Sequence, residues 1–218
     1  MLNLAITENC PFCHRCLLVL LEKKIEFTTI EIDLTRKAEV RHLLSPYGRV
    51  PVLWHDDQPV FESSVINEYL DEVCPIPPLL PKTAERRATA RFWIDFCNTR
   101  FMPAYFDLLK ERNPALRAPL RDRLMESLEF IETVGLTACR RAGSYWMGEN
   151  VSLVDYAFYP FFERFASVEA YRGVTIPDDY DRLKDWLAAM RGLAPVQRLA
   201  KPCSHYVEYY GRFYADRT

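Results

Sequence analysis

Cys10 and Cys13 stand one helical turn apart in Cys10-Pro11-Phe12-Cys13, and Cys16 follows at the same interval. A cysteine reacts as its thiolate, and an unperturbed thiol of pKa about 8.5 is only a few per cent ionised at neutral pH, so a nucleophilic cysteine needs electrostatic help. Pro11 supplies the setting. Proline favours the first helical position, which leaves Cys10 at the cap, where free N–H groups and the positive end of the helix dipole favour an anion. Cys13 is near enough to reach back and resolve a mixed disulfide, which would make the two a redox dithiol. His14 and Arg15 add positive charge to the first turn, but neighbouring helical side chains point to different faces, and spacing alone gives neither a catalytic role. Two blander readings compete, small packing residues or zinc ligands. A zinc site wants four ligands, usually as two such pairs, and the sequence has no second pair, so no metal is expected. Cys16 is read as packed on the helix, outside the site.

The elements around this turn follow from periodicity. Leu2-Asn3-Leu4-Ala5-Ile6 predicts a strand, Cys16-Leu17-Leu18-Val19-Leu20-Leu21 a buried helix ending near Lys23-Lys24, and the β-branched, alternating Phe27-Thr28-Thr29-Ile30-Glu31-Ile32 a second strand parallel to the first. Residues 36–44 read as a short polar helix. Val50-Pro51-Val52-Leu53-Trp54 and Pro59-Val60-Phe61 read as an antiparallel hairpin, and Ser63 or Ser64 can cap a helix over residues 65–72. The order βαβαββα is that of a thioredoxin-like domain over residues 1–73. Four prolines in residues 74–81 stop the helix, so residues 74–82 read as a linker. Beyond it the pattern is helical, at residues 83–105, 119–141, 153–165 and 180–190, with Pro103 a kink or an end. The fold class is therefore α/β plus all-α, with a helical bundle domain over residues 83–218.

Composition excludes several partners. Apolar residues make up 49% of the 218, enough to fill two cores, so disorder is not the default. Neither half carries a dense basic patch: up to Leu80 there are 7 Lys/Arg against 12 Asp/Glu, and from Pro81 on 21 against 18, so no nucleic acid is expected. No apolar run approaches the roughly 18 residues that span a bilayer, and the first six residues are too short for a signal peptide. No membrane association is expected. Seven cysteines, four of them scattered singly, suit a reducing compartment, hence a cytoplasmic protein.

Four stretches together resemble the cytosolic glutathione transferases over nearly the full chain, and most of all their omega class: Cys10-Pro11-Phe12 with Arg15; Pro46-Tyr47-Gly48-Arg49-Val50-Pro51-Val52-Leu53; Phe61-Glu62-Ser63-Ser64 with Tyr69-Leu70-Asp71-Glu72; and Ser152-Leu153-Val154-Asp155-Tyr156 with Phe161-Phe162-Glu163-Arg164. The resemblance implies that glutathione is the co-substrate. Val50-Pro51 matches the family's cis-proline turn, which pairs through Val50 with the cysteinyl part of the tripeptide; only X-Pro bonds adopt cis cheaply. Glu62 and Ser63 match the pair that holds the γ-glutamyl end, a helix N-terminus and hydroxyl suiting its carboxylate and the glutamate its ammonium. Lys37 matches the basic residue facing the glycyl carboxylate, and Phe12 lies where a ring packs beside the tripeptide. Ser152 and Asp155 form a structural capping box. Of the aromatic residues near the end, most are read as packing and Tyr206 as the candidate for an acceptor-substrate pocket contributed by the helical domain.

The same resemblance implies a thiol transferase working through a Cys10–glutathione mixed disulfide, with a protein or small-molecule disulfide, dehydroascorbate or an S-substituted glutathione as acceptor, and a homodimer. The omega pattern usually has alanine where this chain has Cys13, so monothiol and dithiol routes both stay open. The alternatives are a glutathione-conjugating transferase acting on electrophiles and a non-enzymatic, partner-binding protein of the same fold.

Overall fold

The structure, a computed structural model, describes residues 1–36, 38–139 and 143–215. It divides into two compact units, Met1–Leu80 and Pro81–Thr218.

In the first unit, strands β1 (Leu2–Ile6), β2 (Phe27–Glu31), β3 (Val52–His55) and β4 (Gln58–Phe61) form one sheet in the order β2-β1-β3-β4. Helix α1 (Pro11–Glu22) carries the chain back, so β2 lies parallel to β1 with Leu2 opposite Phe27. Strand β3 runs antiparallel to β1, and a turn at Asp56-Asp57, with Asp56 at φ 53°, closes the hairpin to β4. Pro59 sits on that edge strand opposite Trp54, beside a two-residue turn, where no further strand needs the N–H it lacks. Alternation gives the sheet two apolar faces. Ala5 and Val52, opposite each other, pack with Ile32 and Leu44 on one face. Leu4 and Leu53, the next opposed pair, are fully buried on the other. Helix α2 (Ser63–Val73) packs on α1 and on the β3–β4 hairpin, with Leu18, Ile66 and Leu70 buried.

Two sequence expectations change here. The polar helix expected over residues 36–44 is a pair of short 3₁₀ turns, Leu34–Arg36 and Arg41–Leu43. Asp33 competes for the backbone at its start, its carboxylate accepting from the Thr35 N–H at 2.9 Å and the Thr35 hydroxyl at 2.6 Å. The thioredoxin-like order is otherwise complete. The proline-rich segment after α2 packs into the first unit instead of trailing from it. Lys23 Nζ, buried at the end of α1, donates to the carbonyls of Cys74 and Pro77, both at 2.7 Å, and pairs with Asp71 at 2.7 Å. Asp71 in turn accepts from the N–H groups of Leu79 and Leu80.

The second unit is helical. Helix α3 (Ala84–Phe96), capped by the Thr83 hydroxyl, runs through a π turn at Cys97–Phe101 into α4 (Met102–Lys110). Pro103 neither ends nor starts a separate helix. The wide turn just before it accommodates a ring that would strike the preceding carbonyl of a regular helix. Helix α5 (Arg117–Phe130) likewise passes a π turn, Ile131–Gly135, into α6 (Leu136–Ala138), and the last residues of the expected 119–141 helix lie outside the described residues. Then come α7 (Leu153–Glu163), α8 (Ala166–Arg172), α9 (Asp181–Arg191), α10 (Ala194–Leu199) and α11 (Cys203–Tyr214). The core is aromatic: Trp146 stacks on Phe158 at 4.2 Å and meets Trp186 edge-on at 5.7 Å. Among the described residues, no helix is long and apolar enough to cross a membrane.

Candidate active site

Cys10 caps α1. Its backbone is extended (φ −69°, ψ 118°), Pro11 holds the first helical position, and its Sγ accepts the N–H of Cys13 at 3.4 Å. The side chain is half-buried, so its sulfur sits between water and the N-terminus of a twelve-residue helix, where the Cys13 N–H and the positive end of the helix dipole stabilise negative charge.

The other two thiols are interior groups. Cys13 is 1% exposed, and burial, reinforced by the sulfur of Cys10, pushes its thiol well above the ordinary cysteine value. Cys16 is fully buried, its Sγ 3.7 Å from the carbonyl of Ser63, to which it donates; burial raises its thiol too, and the charge of Arg15 offsets only part of that. All three are free thiols.

Opposite α1, the junction of β4 and α2 forms the second part of the site. Either Ser63 or Ser64 is the cap expected from sequence, yet the capping residue is Glu62 and Ser63 is already the first helical residue. Glu62 adopts φ 66°, ψ 124°, a conformation costly for any residue with a side chain and kept only where its surroundings over-determine it. That turn places the Ser63 hydroxyl at the N-terminus of α2, whose dipole favours an anion.

The third part is the loop entering β3. Gly48 N–H closes a tight turn onto the Ser45 carbonyl at 2.7 Å, and at φ 67° the position suits glycine. Ser45 then bonds Arg49 twice, N–H to carbonyl at 3.0 Å and hydroxyl from N–H at 3.2 Å, which fixes the approach to the cis Val50–Pro51 bond.

These parts converge on a cavity of about 50 Å³ lined by Phe12, Ser45, Arg49, Val50, Pro51, Glu62 and Ser63. Its size fits a charged head group such as a carboxylate, not a whole tripeptide. Of the residues singled out from the sequence, Phe12, Val50, Pro51, Glu62 and Ser63 share this wall, and Cys10 stands two residues before Phe12 at the same helix end. Lys37 lies outside the described residues. Tyr206 is buried in the second unit, its hydroxyl donating to Glu163 at 2.6 Å and its ring 4.3 Å beneath the Arg164 guanidinium. Among the described residues, no cluster of three His, Cys, Asp or Glu side chains is arranged to hold a metal ion.

Comparison with known proteins identifies this architecture. Residues 9–73 match the glutathione S-transferase N-terminal domain and residues 114–189 the C-terminal domain of the same enzymes. The glutathione S-transferase omega-1 of Sus scrofa is 33% identical over 83% of this chain and 73% of its own length. The chain belongs to the glutathione S-transferase family. A rice glutathione S-transferase, GST1 (OsGSTU1), solved in complex with glutathione, superposes with a TM-score of 0.84 at 28% identity, covering 97% of this chain and 95% of that one. The Tau class enzyme of mango (Mangifera indica) shares the fold with a TM-score of 0.89 at 22% identity over 97% and 98%. This glutathione S-transferase is thus similar in sequence to omega-class enzymes and in structure to the rice enzyme solved with glutathione.

Three side chains at the site carry no role in the sequence reading. Arg15 is buried against Ser63 and Phe12, whereas Ser45 and Arg49 stand on the cavity wall. One signal is present for Arg15, a lone charge entering the apolar run of α1. Arg49, directly before Val50-Pro51, reads from sequence as ordinary exposed loop charge.

Proposed function

We propose that this protein is a glutathione-dependent thiol transferase acting through Cys10. The observation that carries the reading is the half-buried cysteine capping α1, with a carboxylate-sized cavity at the same helix end. Glutathione lies with its γ-glutamyl ammonium toward Glu62, its γ-glutamyl carboxylate at Ser63 and the N-terminus of α2, its cysteinyl backbone against Val50, and its glycyl carboxylate toward Arg49 and Lys37. Phe12 flanks it.

In the reaction, the Cys10 thiolate attacks the glutathionyl sulfur of a mixed disulfide R–S–SG. A new S–S bond joins Cys10 to the glutathionyl sulfur, the S–S bond between that sulfur and R–S breaks, and the released R–S⁻ thiolate takes a proton from solvent. A second glutathione thiolate then attacks the glutathionyl sulfur, leaves as oxidised glutathione and restores Cys10. The acceptor is thereby reduced by two electrons and two glutathiones are joined. Burial of Cys13 supports the monothiol route, because a resolving thiol must first ionise and burial opposes that whether or not Cys10 carries a charge. Dehydroascorbate and S-substituted glutathiones are acceptors of the same electron demand. By the same family likeness we place the enzyme in the cytoplasm as a homodimer.

Conjugation to electrophiles is the second reading, favoured by the name glutathione S-transferase that the relatives carry. There the glutathione thiolate itself attacks, and Cys10 serves only as a hydrogen-bonding neighbour. Cys10→Ser separates them. Reduction of a glutathionylated peptide falls by about 100-fold or more, because serine cannot form the covalent intermediate, while conjugation of a chlorodinitrobenzene persists or rises. Retained peptide reduction with lost conjugation would reverse the assignment.

A further inference from the structure

The backbone entering α1 closes a small loop around two sulfurs. The chain leaves β1 at Thr7 and turns through Asn9, which lies in the left-handed region at φ 65°, and the Cys10 N–H returns to the Thr7 carbonyl at 3.4 Å. The Cys13 N–H then reaches back to Cys10 Sγ, also at 3.4 Å. The Cys13 side chain is the inner member of this loop. It is 1% exposed, its sulfur accepts the Thr7 N–H, and it is hydrogen-bonded to the side chain of Cys10.

Solvation gives the sulfur–sulfur bond its direction. Taking a charge out of water is costly, so of two neighbouring thiols the half-buried one ionises and the buried one keeps its proton. The Cys10 sulfur then accepts two hydrogens from one residue, the N–H and the S–H of Cys13. An S–H is a weak donor between neutral groups, but a bond to an ionised acceptor is roughly twice as strong, and the Thr7 N–H on the same sulfur polarises it further.

Thiol transfer never consumes that proton. In the first step Cys10 attacks as a thiolate, and in the second it departs as one when glutathione takes back the glutathionyl sulfur. Cys13 keeps its hydrogen through both, so burial suits a donor here and hinders a resolving thiol.

We propose that Cys13 is a catalytic residue of a non-redox kind, whose S–H donates to the Cys10 thiolate and stabilises it both as nucleophile and as leaving group. This rests on the thiol-transferase reading of Cys10. The other titratable side chains around the loop are Glu8, His14, Arg15 and Cys16 of the same segment, Glu62 before α2, and Glu31 of β2, whose carboxylate accepts the Glu8 N–H at 2.7 Å. All of them stay the same when Cys13 alone is replaced.

Iodoacetamide alkylation of the reduced, full-length protein, followed at Cys10 by peptide mass across a pH series, reads the thiolate and needs no resolving step. Cys13→Ala removes the donor and is expected to slow Cys10 alkylation by about three- to tenfold on the acid limb of the profile, with the alkaline plateau nearly unchanged. Cys13→Ser keeps an O–H donor and should recover most of that loss. Circular dichroism checks folding, and if Cys13→Ala does not fold, Cys13→Val, which also lacks a donor, takes its place. A profile for the donor-free variant that overlays wild type, or equal displacement of the serine and donor-free profiles, would overturn the proposal. A resolving thiol would show itself differently, by loss of glutathionylated-peptide reduction in Cys13→Ser and Cys13→Ala alike with Cys10 alkylation untouched. Peptide reduction retained in Cys10→Ser would instead overturn the thiol-transferase reading, whatever the Cys13 variants show.

Discussion

At the scale of single residues, one helix end holds three thiols with three different environments. Cys10 sees water and the N-terminus of α1, Cys13 sees the protein interior and the sulfur of Cys10, and Cys16 sees the carbonyl of Ser63. The consequence is a division of labour that pH reveals. Because burial raises the Cys13 thiol well above the ordinary cysteine value, it keeps its proton through the neutral range. Treatment with oxidised glutathione at pH 7 should therefore leave a stable glutathione adduct on Cys10, seen by intact mass, in wild type and in Cys13→Ser alike. An intramolecular Cys10–Cys13 disulfide should accumulate only at alkaline pH, because the raised Cys13 thiol must ionise first. Its rapid formation at pH 7 would show that Cys13 is a resolving thiol. The sequence can place Cys10 at its cap, because Pro11 dictates that position, but not the depth of Cys13, since spacing says how near two thiols are and not how dry. Arg15 is hidden for the same reason, as its partner Ser63 is 48 positions away in sequence.

At the scale of elements, the legible parts are those with a strong local signal. All four strands are readable from alternation and the hairpin from its short turn, and α2 differs from its reading mainly in that the strained Glu62, not a serine, caps it. The 3₁₀ turns Leu34–Arg36 and Arg41–Leu43 pass for a helix in sequence because Val40, Leu43 and Leu44 mimic helical spacing over too short a run. Helices α8, α10 and α11 escape a sequence reading because they are short or aromatic, with tertiary burial of Val168, Val196, Tyr206 and Tyr210 replacing any clear period. The Ser152–Asp155 capping box shows how much one cap can carry. The Asp155 carboxylate, fully buried, accepts from the Trp146 N–H at 2.8 Å, the Ser152 N–H at 2.8 Å, the Ser152 hydroxyl at 2.6 Å and the Trp186 indole N–H at 2.7 Å. It thus fixes the start of α7 to two tryptophans of the aromatic core. Asp155→Ala would leave these buried donors without their acceptor, at a cost of about 3 kcal/mol or more. The expected result is a large fall in the thermal midpoint, with glutathione affinity of the still-folded protein unchanged because no ligand group is touched. A change in affinity with unchanged stability would move Asp155 from scaffold to site.

At the scale of the whole molecule, the chain is two cores joined near residue 80, and the junction is defined by contacts the sequence can only hint at. Four prolines mark where regular structure stops. What they cannot show is that residues 74–80 are bound back onto the first unit by a buried ammonium, Lys23, which neutralises Asp71 and satisfies the carbonyls of Cys74 and Pro77. Asp71 continues the chain of bonds to Leu79 and Leu80, the last residues of that unit. Such a network holds as a set. Lys23→Met fits the space but leaves a half-buried carboxylate without its cation and two carbonyls without donors, a loss of about 3 kcal/mol concentrated in this segment. Limited proteolysis should then cut first between residues 74 and 81, giving two fragments that correspond to the two units, while the wild type resists cleavage there. Because the segment lies at the far end of α2 from Glu62 and Ser63, the uncut variant should bind glutathione as the wild type does. Cleavage appearing first within either unit would mean that Lys23 supports the core of the first unit and not the junction itself.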